Sequence, residues 1–373
     1  MDTSPDLIVV GSGIIGLATA FLAHEQGKSV HVIDAADRVV GSSVQNFGHA
    51  CFTAQADVIQ DVADVSRAGW LRAAAAAGFW AATSGTWLPA ATDTELQVLR
   101  EFAEHRGPER VRLVGRDELA DALGNPGLEA VGGAHFPRDM RVDPREAAPA
   151  LARWLAGQGV RFTWNTQVHS AADGVVETTR GRFRAERVVV CPGFNLMQIF
   201  PHLAERHQVR LCDLAMALIE RPVAVRKDVA VLTGTSMARY DGIAAMPSVP
   251  VLRRELAERE PGLVGCIANL MATGNDQGLF VGDSHGYSLS PEPFVDAETA
   301  DLLLGKGGAL FGIARPRVLQ RWQGRYADSP VTNLVLEQVD ERTTVAVVTS
   351  GIGMTLAFGV AHLALSRKTV PGF

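Results

Sequence analysis

Lysine, tyrosine and cysteine are scarce in this chain. Of its 373 residues, 35 are lysine or arginine, but lysine accounts for four of them, and tyrosine occurs three times. The formal net charge of −6 gives no overall basic field, so we expect neither nucleic acid nor an anionic membrane as a partner. The arginine excess suits the binding of carboxylate or phosphate oxygens, although a compositional bias of the genome explains it equally well.

The four cysteines form no motif. Cys51, Cys191, Cys212 and Cys266 lack CxxC spacing and a matching histidine pattern, so no zinc site is predicted and we expect buried thiols in a reducing compartment. The N-terminus carries acids where a signal peptide needs bases. The longest late apolar run, at 351–365, is about 15 residues and too short for a bilayer. These features predict a cytoplasmic protein without stable membrane insertion.

A βαβ pattern opens the chain. The apolar run at 7–10 predicts a buried strand, Gly11, Gly13 and Gly16 begin a helical pattern, and a second strand ends at Asp34. Such glycines let a pyrophosphate approach a helix N-terminus, and an acid 23 residues after the first glycine is placed to bind a ribose hydroxyl. The pattern predicts a dinucleotide site but does not choose between NAD and FAD.

Further nucleotide-binding elements follow along the chain. The segment 41–49, rich in small and hydroxyl residues, is either a surface loop or a cofactor loop. Strand patterns at 160–170, a hairpin pattern at 174–185 and a strand with a glycine end at 187–193 follow in order. A last strand at 345–348 leads into a glycine turn and a helix. The cofactor domain is therefore predicted to be discontinuous.

The predicted fold class is α/β with two domains. A Rossmann-like cofactor domain is expected over 1–89, 141–214 and 311–373. A second, α+β substrate domain is expected over 90–140 and 215–310, where charged helical patterns mix with short strand patterns. No GxSxG, HExxH or catalytically spaced carboxylate pair occurs, which favours chemistry carried by a cofactor.

Several motifs resemble one family. GSGIIG with Asp34, the GSSxxNFG segment, the CPG strand end and the late TSGIGMT resemble the FAD-dependent amine oxidoreductases of the D-amino acid oxidase and glycine oxidase type, over nearly the whole chain. More narrowly, NFGH, DxRVDPREA, GDSHxY, RWQGxYA and VVTSGxGMT resemble a bacterial subgroup associated with phosphonate catabolism. That subgroup resemblance implies oxidation of 2-aminoethylphosphonate or its N-methyl derivative to an imine, which water hydrolyses to phosphonoacetaldehyde and an amine.

The resemblance implies an FAD-binding Rossmann-like domain with FAD held without a covalent bond. The family's pyrophosphate glycines, ribose acid, flavin loop, adenine-side backbone and flavin-edge helix start all have matching positions here. None of the cysteines lies in the C-terminal segment where relatives with a cysteinyl flavin attach it. The implied cofactor contacts are Gly11, Gly13, Ile15, Gly16, Asp34, Ser42, Ser43, Asn46, Gly48, Val168, Cys191, Gly193, Gly353, Met354 and Thr355.

The stretch RWQGRYA departs from the family pattern. Relatives read WxGxRP here and use the arginine to hold a substrate carboxylate, whereas Tyr326 occupies that position and Arg325 lies one residue earlier. Because alternate strand residues face opposite sides, we expect Tyr326 to face the pocket and Arg325 to face away. Arg239 is expected on a substrate-facing strand. The candidate substrate contacts are His49, Arg239, Tyr240, His285, Tyr287, Tyr326 and Met354, with Ser284 as a further donor.

Other interpretations stay open at this stage. The chain also fits an oxidase of glycine, sarcosine or a D-amino acid, which would have the same fold and cofactor but a substrate with a different anionic group. A nucleotide-binding protein with a non-catalytic flavin and an NAD-dependent enzyme also fit the glycine pattern. His285 has a metal ligand's chemistry, but no second histidine or acid cluster has ligand spacing, so no metal is predicted. The electron acceptor is oxygen or another compound.

Overall fold

A computed structural model describes residues 4–368 of the chain. The strands are β1 (Leu7–Val10), β2 (Val30–Ile33), β3 (His49–Ala50), β4 (Ala81–Ala82), β5 (Thr86–Ala90), β6 (Arg112–Val114), β7 (Gly132–Phe136), β8 (Met140–Val142), β9 (Arg161–Thr163), β10 (Val168–Ala172), β11 (Val175–Thr178), β12 (Gly181–Arg184), β13 (Arg187–Val190), β14 (Arg210–Ile219), β15 (Ala230–Leu232), β16 (Met271–Gly274), β17 (Leu279–Gly282), β18 (Gly286–Ser288), β19 (Val318–Asp328), β20 (Leu334–Gln338) and β21 (Thr343–Val348). The helices are α1 (Ile14–Glu25), α2 (Gln60–Ala77), α3 (Asp93–Arg106), α4 (Arg116–Leu123), α5 (Pro144–Gly157), α6 (Leu196–Ile199), α7 (Pro201–Arg206), α8 (Gly234–Met237), α9 (Asp241–Ala244), α10 (Val249–Arg259), α11 (Pro261–Gly265), α12 (Ala297–Ala309) and α13 (Gly353–Ser366).

The first sheet draws its strands from the start, middle and end of the chain. Its order is β20-β21-β13-β1-β2-β9, and every neighbouring pair is parallel except β20 with β21. Two parallel neighbours on either side of β1 are what a Rossmann-like βαβ unit produces. The predicted α/β class, with a discontinuous cofactor domain, is therefore confirmed.

Both faces of this sheet are buried, which explains the uninterrupted apolar run of β1. Leu7 and Val9 pack into a core formed with helices α1, α2, α5 and α13. Ile8 and Val10 face the other way, into a core shared with the antiparallel sheet β10-β11-β12. A strand that alternates between two apolar layers has no position left for a polar side chain.

The second sheet carries the candidate substrate residues. It runs β18-β14-β17-β16-β15-β5-β7-β6, and β19 pairs along β14 on the edge opposite β17 and β18. Cys212 on β14 therefore has Tyr287 as its partner on one side and Tyr326 on the other. Helices α3, α8, α9 and α10 contribute to the core beside this sheet, which has the mixed α+β character predicted for the second domain.

The predicted domain limits near residues 89, 214 and 311 remain predictions. Strands β5, β14 and β19, which lie at or near them, all belong to the second sheet. A second small sheet, β3-β8-β4, begins at the end of the 41–49 segment. Of the helices in the described residues, none combines the length and the apolar character needed to cross a lipid bilayer.

Candidate functional site

A long cleft lies at the carboxyl ends of β1, β2, β13 and β21. This is the edge where parallel α/β sheets bind ligands, because loops and helix N-termini converge there. All of the predicted cofactor contacts except Gly48 and Thr355 line it. Those lining residues are Gly11, Gly13, Ile15, Gly16, Asp34, Ser42, Ser43, Asn46, Val168, Cys191, Gly193, Gly353 and Met354.

The glycine loop is tight against its neighbours. Gly11 has φ +98°, and a Cβ there would lie 2.3 Å from the carbonyl oxygen of Cys191. A Cβ on Gly16 would lie 1.9 Å from the carbonyl oxygen of Gly11. Helix α1 therefore starts directly over the end of β1, with its first N–H groups at the cleft.

Asp34 is fixed at the far side of the same loop. One carboxylate oxygen accepts hydrogen bonds from the Ser12 backbone N–H at 2.6 Å and from the Ser12 hydroxyl at 2.7 Å. The other oxygen accepts from the Ala36 N–H at 2.8 Å. These bonds hold the carboxylate in the lining of the cleft, where the sequence predicts a ribose contact.

The 41–49 segment folds over the start of α1. Ser43 Oγ accepts from the Ile14 N–H at 2.8 Å, and Ser42 Oγ donates to the Arg325 carbonyl oxygen at 2.5 Å. Asn46 Nδ2 donates to the Ser42 carbonyl oxygen at 2.8 Å. The segment thus connects the dinucleotide end of the cleft to strand β19 of the second sheet.

Gly48 and Thr355 support the cleft without lining it. A Cβ on Gly48, which has φ +62°, would lie 2.0 Å from the Val142 carbonyl oxygen, so only glycine allows β3 to approach β8. The Thr355 hydroxyl accepts a hydrogen bond from the Cys51 N–H at 3.1 Å. The sequence motifs of Gly48 and Thr355 indicated the right region of the fold. The two residues contribute to the packing beside the cleft and not to its lining.

A smaller cavity of about 210 Å³ adjoins the cleft. The two share Tyr326, Ser350 and Gly351 as walls. The five predicted substrate contacts that line the cavity include all three tyrosines of the chain, and Met354 lines the cleft beside it. The cavity lining comprises Gln55, Arg239, Tyr240, Asp241, Asn269, His285, Tyr287, Tyr326, Asp328, Asn333, Ser350, Gly351 and Ile352.

Strand register explains which residue of the RWQGRYA stretch reaches the cavity. Tyr326 and Asp328 lie two residues apart on β19 and both line the cavity. Arg325 directly precedes Tyr326 on the strand, is half-buried at the cleft, and donates from Nη2 to Gln323 Oε1 at 2.8 Å. Burial raises the pKa of Tyr326 well above its ordinary value, so its hydroxyl stays protonated and able to donate.

Arg239 brings a cation to the cavity, although the prediction of a strand there was wrong. It lies in the turn between α8 and α9, and α8 begins with a capping box in which the Thr233 and Ser236 side chains bond each other's backbone. Arg239 Nη2 donates to the Tyr287 hydroxyl at 3.0 Å. Burial acts to lower the pKa of Arg239, but this hydrogen bond and nearby acidic groups leave it raised.

His285 is neutral and offers an acceptor, not a donor. Its Nδ1 lies 2.9 Å from the Ile267 carbonyl oxygen, which fixes the proton on Nδ1 and leaves Nε2 as an acceptor. Burial lowers the pKa of His285 to about 3. Ser284, also suggested as a donor, points instead at the backbone, where its Oγ accepts from the Ala215 N–H at 3.3 Å.

His49 lies in a separate buried cluster. Its Nε2 is 2.6 Å from Thr86 Oγ1, and burial lowers the pKa of His49 to about 3. His49, Cys51 and Asp139 have potential ligand atoms within 4.8 Å of one another. However, Asp139 already accepts from the Thr53 N–H and hydroxyl and from the Thr86 hydroxyl, each within 2.9 Å. The Asp139 carboxylate is thus held by hydrogen bonds within the protein, whereas His49 Nδ1 is buried with no hydrogen-bond partner among the described residues. His49 is outside the lining of both cavities.

Asp283 is the buried acid that sequence reasoning missed. The residue is 5% exposed, and its backbone N–H and carbonyl bond those of Asn269, a cavity residue, at 3.3 and 3.0 Å. Burial raises the pKa of Asp283 to about 7, with the charge of Arg239 acting in the opposite direction. No local pattern around GDSH distinguishes this acid from a solvated one.

Comparison with known proteins places the chain in a family. The model of the FAD dependent oxidoreductase family matches residues 6–367. No curated protein sequence matches the chain. Among solved structures, glycine oxidase from Geobacillus kaustophilus is similar, with a TM-score of 0.78 and 19% identity over 99% of this chain and 96% of that one.

Two further solved structures share this architecture. Iminodiacetate oxidase from Chelativorans sp. BNC1 has a TM-score of 0.74 and 18% identity, over 98% of this chain and 96% of that one. L-alpha-glycerophosphate oxidase from Mycoplasma pneumoniae, with FAD bound, has a TM-score of 0.72 and 16% identity over 100% and 97%. At these identities the similarity establishes a common fold.

Proposed function

The chain belongs to the FAD-dependent oxidoreductase family, and from that premise we propose that it oxidises a small primary or secondary amine bearing an anionic group. The specific substrate we propose is 2-aminoethylphosphonate or its N-methyl derivative, with phosphonoacetaldehyde and the free amine as products after hydrolysis of the imine. Oxygen or another compound re-oxidises the enzyme. The names of similar structures, glycine oxidase and iminodiacetate oxidase, support the amine class.

The cleft has the groups that FAD needs. When bound, the cofactor supplies a two-electron acceptor for the hydride on the carbon beside the amine. Glycine-loop backbone and Asp34 suit its dinucleotide end, and the start of α13 at Gly353 suits its ring end, because first-turn N–H groups favour negative charge. The hydroxyl of Ser350, which lines the cleft, is buried with no hydrogen-bond partner within residues 4–368. A ligand in the cleft would satisfy it.

Arg239 is the residue that best supports binding of an anionic group of the substrate. Its guanidinium is partly buried, faces the cavity and bonds the Tyr287 hydroxyl. In the described chain no carboxylate oxygen lies within ion-pair distance of it. A partly buried guanidinium that has no carboxylate partner is free to form charge-assisted hydrogen bonds with an anionic ligand.

The lining favours an anion with three oxygens. Arg239 lines this cavity of about 210 Å³ together with Tyr240, Tyr287 and Tyr326, so several side chains that can donate hydrogen bonds surround it. A phosphonate accepts more hydrogen bonds than a carboxylate does, and each bond to a charged group is strong. Tyr326, where relatives place the carboxylate-binding arginine, removes the group that would favour a plain amino acid.

The position of the cavity fits the reaction. Tyr326, Ser350 and Gly351 separate it from the cleft, so a small substrate anchored at Arg239 would extend its amine end toward the ring end of the cofactor. The chain's task is to hold the anion, orient the amine carbon and exclude water. The His285 Nε2 lone pair is available to accept a hydrogen bond from the amine.

Steady-state kinetics with phosphonates and carboxylates test this proposal. We expect kcat/KM for 2-aminoethylphosphonate or its N-methyl form to exceed that for glycine, sarcosine or D-alanine by about 10- to 100-fold, the effect of one charge-assisted contact. Arg239→Ala should raise KM for the phosphonate by a similar factor. Arg325→Ala should have a smaller effect, and Arg254→Ala, an exposed arginine on α10, serves as the matched control.

Three outcomes would contradict the proposal at different levels. If the wild-type enzyme prefers glycine or sarcosine, the phosphonate substrate is wrong, and the proposal of amine oxidation is unaffected. A yellow protein that does not bleach with any amine under anaerobic conditions has a non-catalytic flavin. A colourless protein that responds to NAD contradicts the flavin assignment itself.

A further inference from the structure

Asp283 is a buried acid beside the substrate cavity with an unsatisfied oxygen. Its Oδ1 makes no hydrogen bond in the described part of the chain. Its backbone is fixed by the pair of bonds to Asn269, and His285 follows two residues later, so cavity-lining residues lie on both sides of it. The other acids of the cavity differ, because Asp241 accepts from Asn333 Nδ2 at 2.7 Å and Asp328 from Arg210 Nε at 2.7 Å.

The charge that faces Asp283 comes from Arg239. The electrostatic neighbours of the carboxyl on surrounding elements are Arg239 and Tyr240 in the α8–α9 turn, Tyr326 on β19, Cys212 on β14 and Cys266 after α11. Burial raises the pKa values of these tyrosines and cysteines, so they carry no charge near neutral pH. His285 is neutral as well. Among these neighbours Arg239 is the charged group that acts on Asp283. Of the other acids that line the cavity, Asp328 is paired with Arg210, and Asp241 is exposed.

We propose that Asp283 couples anion binding at Arg239 to the uptake of a proton. In this scheme a protonated Asp283 leaves the full charge of Arg239 available to the substrate anion, and an ionised Asp283 competes with it. Asp283 acts through Arg239 and is a positioning residue for the substrate anion. The inference rests on the proposed function, since it assumes that Arg239 is the anion site.

The direction of the coupling follows from the environment of the carboxyl. Burial raises the pKa of Asp283 to about 7, and the charge of Arg239 opposes that rise. An anion bound to Arg239 cancels this opposition, so the pKa of Asp283 is higher in the complex than in the free enzyme. Affinity is then greatest below about pH 7 and falls as pH rises from the free to the bound pKa. By reciprocity, a shift of one pKa unit gives about a tenfold loss of affinity.

Calorimetry with sulfate tests the coupling without catalysis. Sulfate keeps its charge from about pH 5.5 to about pH 8.5, so any proton exchanged on binding comes from the protein or buffer. Titration of the FAD-loaded enzyme in buffers of different ionisation enthalpy should show proton uptake near pH 7. Asp283→Asn should abolish the uptake and flatten the pH dependence of sulfate affinity. Asp143→Asn, at a buried aspartate that bonds Asn275 outside the cavity lining, should behave like the wild type.

The variants separate the failure of this inference from failure of the proposed function. Binding with no proton uptake in the wild type overturns the coupling even if Asp283→Asn does not fold. Uptake that persists in Asp283→Asn overturns it as well. Sulfate binding that is unchanged in Arg239→Ala overturns the anion site, and with it both proposals. Loss of binding in Arg239→Ala with loss of uptake in Asp283→Asn supports both, and absence of any sulfate binding rejects both.

Discussion

Asp34 connects the second strand of the first sheet to the glycine loop through a single carboxylate. Its bonds to Ser12 and Ala36 hold the loop in shape, and we propose that the same side chain contacts the cofactor ribose. Asp34→Ala should therefore weaken FAD binding by about 1–3 kcal/mol, because both the contact and the loop geometry are lost. Fluorescence titration of the apoprotein with FAD measures the change.

A neighbouring acid provides the control for this variant. Asp37 lies three residues later, is exposed, and pairs with Arg38 at 2.9 Å. Asp37→Ala should leave FAD affinity within error of the wild type, because an exposed ion pair contributes little. Equal losses in Asp34→Ala and Asp37→Ala would mean that local charge, and not the Asp34 contact, controls the affinity.

Single residues of the site differ in how far sequence predicts them. Tyr326 was predicted to face the pocket because it falls at the family's pocket position and strand periodicity turns Arg325 to the other side. Arg239 was predicted at the site but on the wrong element, since the Thr-Ser capping signal at 233–236 was not weighed. Asp283 could not be found, because its position depends on backbone pairing with Asn269 and its pKa on the charge of Arg239, and neither residue is a near neighbour in sequence.

At the level of elements, two helices approach unusually closely beneath the cleft. A Cβ on Gly359 of α13 would lie 2.1 Å from the Val62 carbonyl oxygen of α2, and one on Gly69 of α2 would lie 2.3 Å from Phe358. This contact matters for the site because Trp70 of α2 donates to the Met354 carbonyl oxygen at 2.8 Å, at the start of α13. The close packing of α2 against α13 therefore fixes the position of the α13 N-terminus at the cleft.

Gly359→Ala should lower the free energy of unfolding by about 1–3 kcal/mol, because a methyl group has no space against backbone. Gly305→Ala on α12 is the matched control: it is helical and exposed, and no atom lies within 4 Å of its Cβ position. There the substitution should stabilise by about 0.5–1 kcal/mol. Urea denaturation of the holoenzymes measures both, and a neutral Gly359→Ala would show that the helices separate without cost.

Elements were predicted best where their signal is local. The run at 7–10, the glycine helix start and the hairpin at 174–185 each have a pattern within a few residues, and each lies where it was expected. The pairing of β14 with both β18 and β19 has no such signal, because it depends on residues about 75 and 115 positions apart. The row of Tyr287, Cys212 and Tyr326 could not be derived from sequence for that reason.

At the scale of the whole molecule, the cofactor cleft brings together segments from the start, the middle and the end of the chain. Its lining extends from Val10 to Met354 and includes the ends of four strands of the first sheet. The order of nucleotide-binding patterns in the sequence was enough to predict this discontinuity. The limits of the second unit were harder to place, because β5, β14 and β19 of the second sheet adjoin segments of the first.

Bound FAD should therefore stabilise the entire fold. Because it is held without a covalent bond, it should dissociate from the protein when the protein unfolds. Acid precipitation is expected to release the yellow colour into the supernatant. Cys51, Cys191 and Cys212 are buried thiols as predicted, and burial raises the pKa of Cys191, which lines the cleft, to about 12 and keeps it unreactive. Cys266 is partly exposed, contrary to the prediction, but lies outside the cleft lining. A ligand that binds the native state alone stabilises it by about 2.7 kcal/mol at 100 times its Kd. The apoprotein should melt at a lower temperature than the holoenzyme, and added FAD should restore the melting temperature.

NAD is the matched ligand control for this last prediction, since it shares the adenine, ribose and pyrophosphate that the glycine loop and Asp34 would hold. It lacks the flavin ring that would reach Ser350 and the start of α13. NAD at the same concentration should raise the melting temperature of the apoprotein little or not at all. Colour retained in the acid pellet would demonstrate a covalent flavin, and stabilisation by NAD equal to that by FAD would show that the far half of the cleft contributes nothing to cofactor binding.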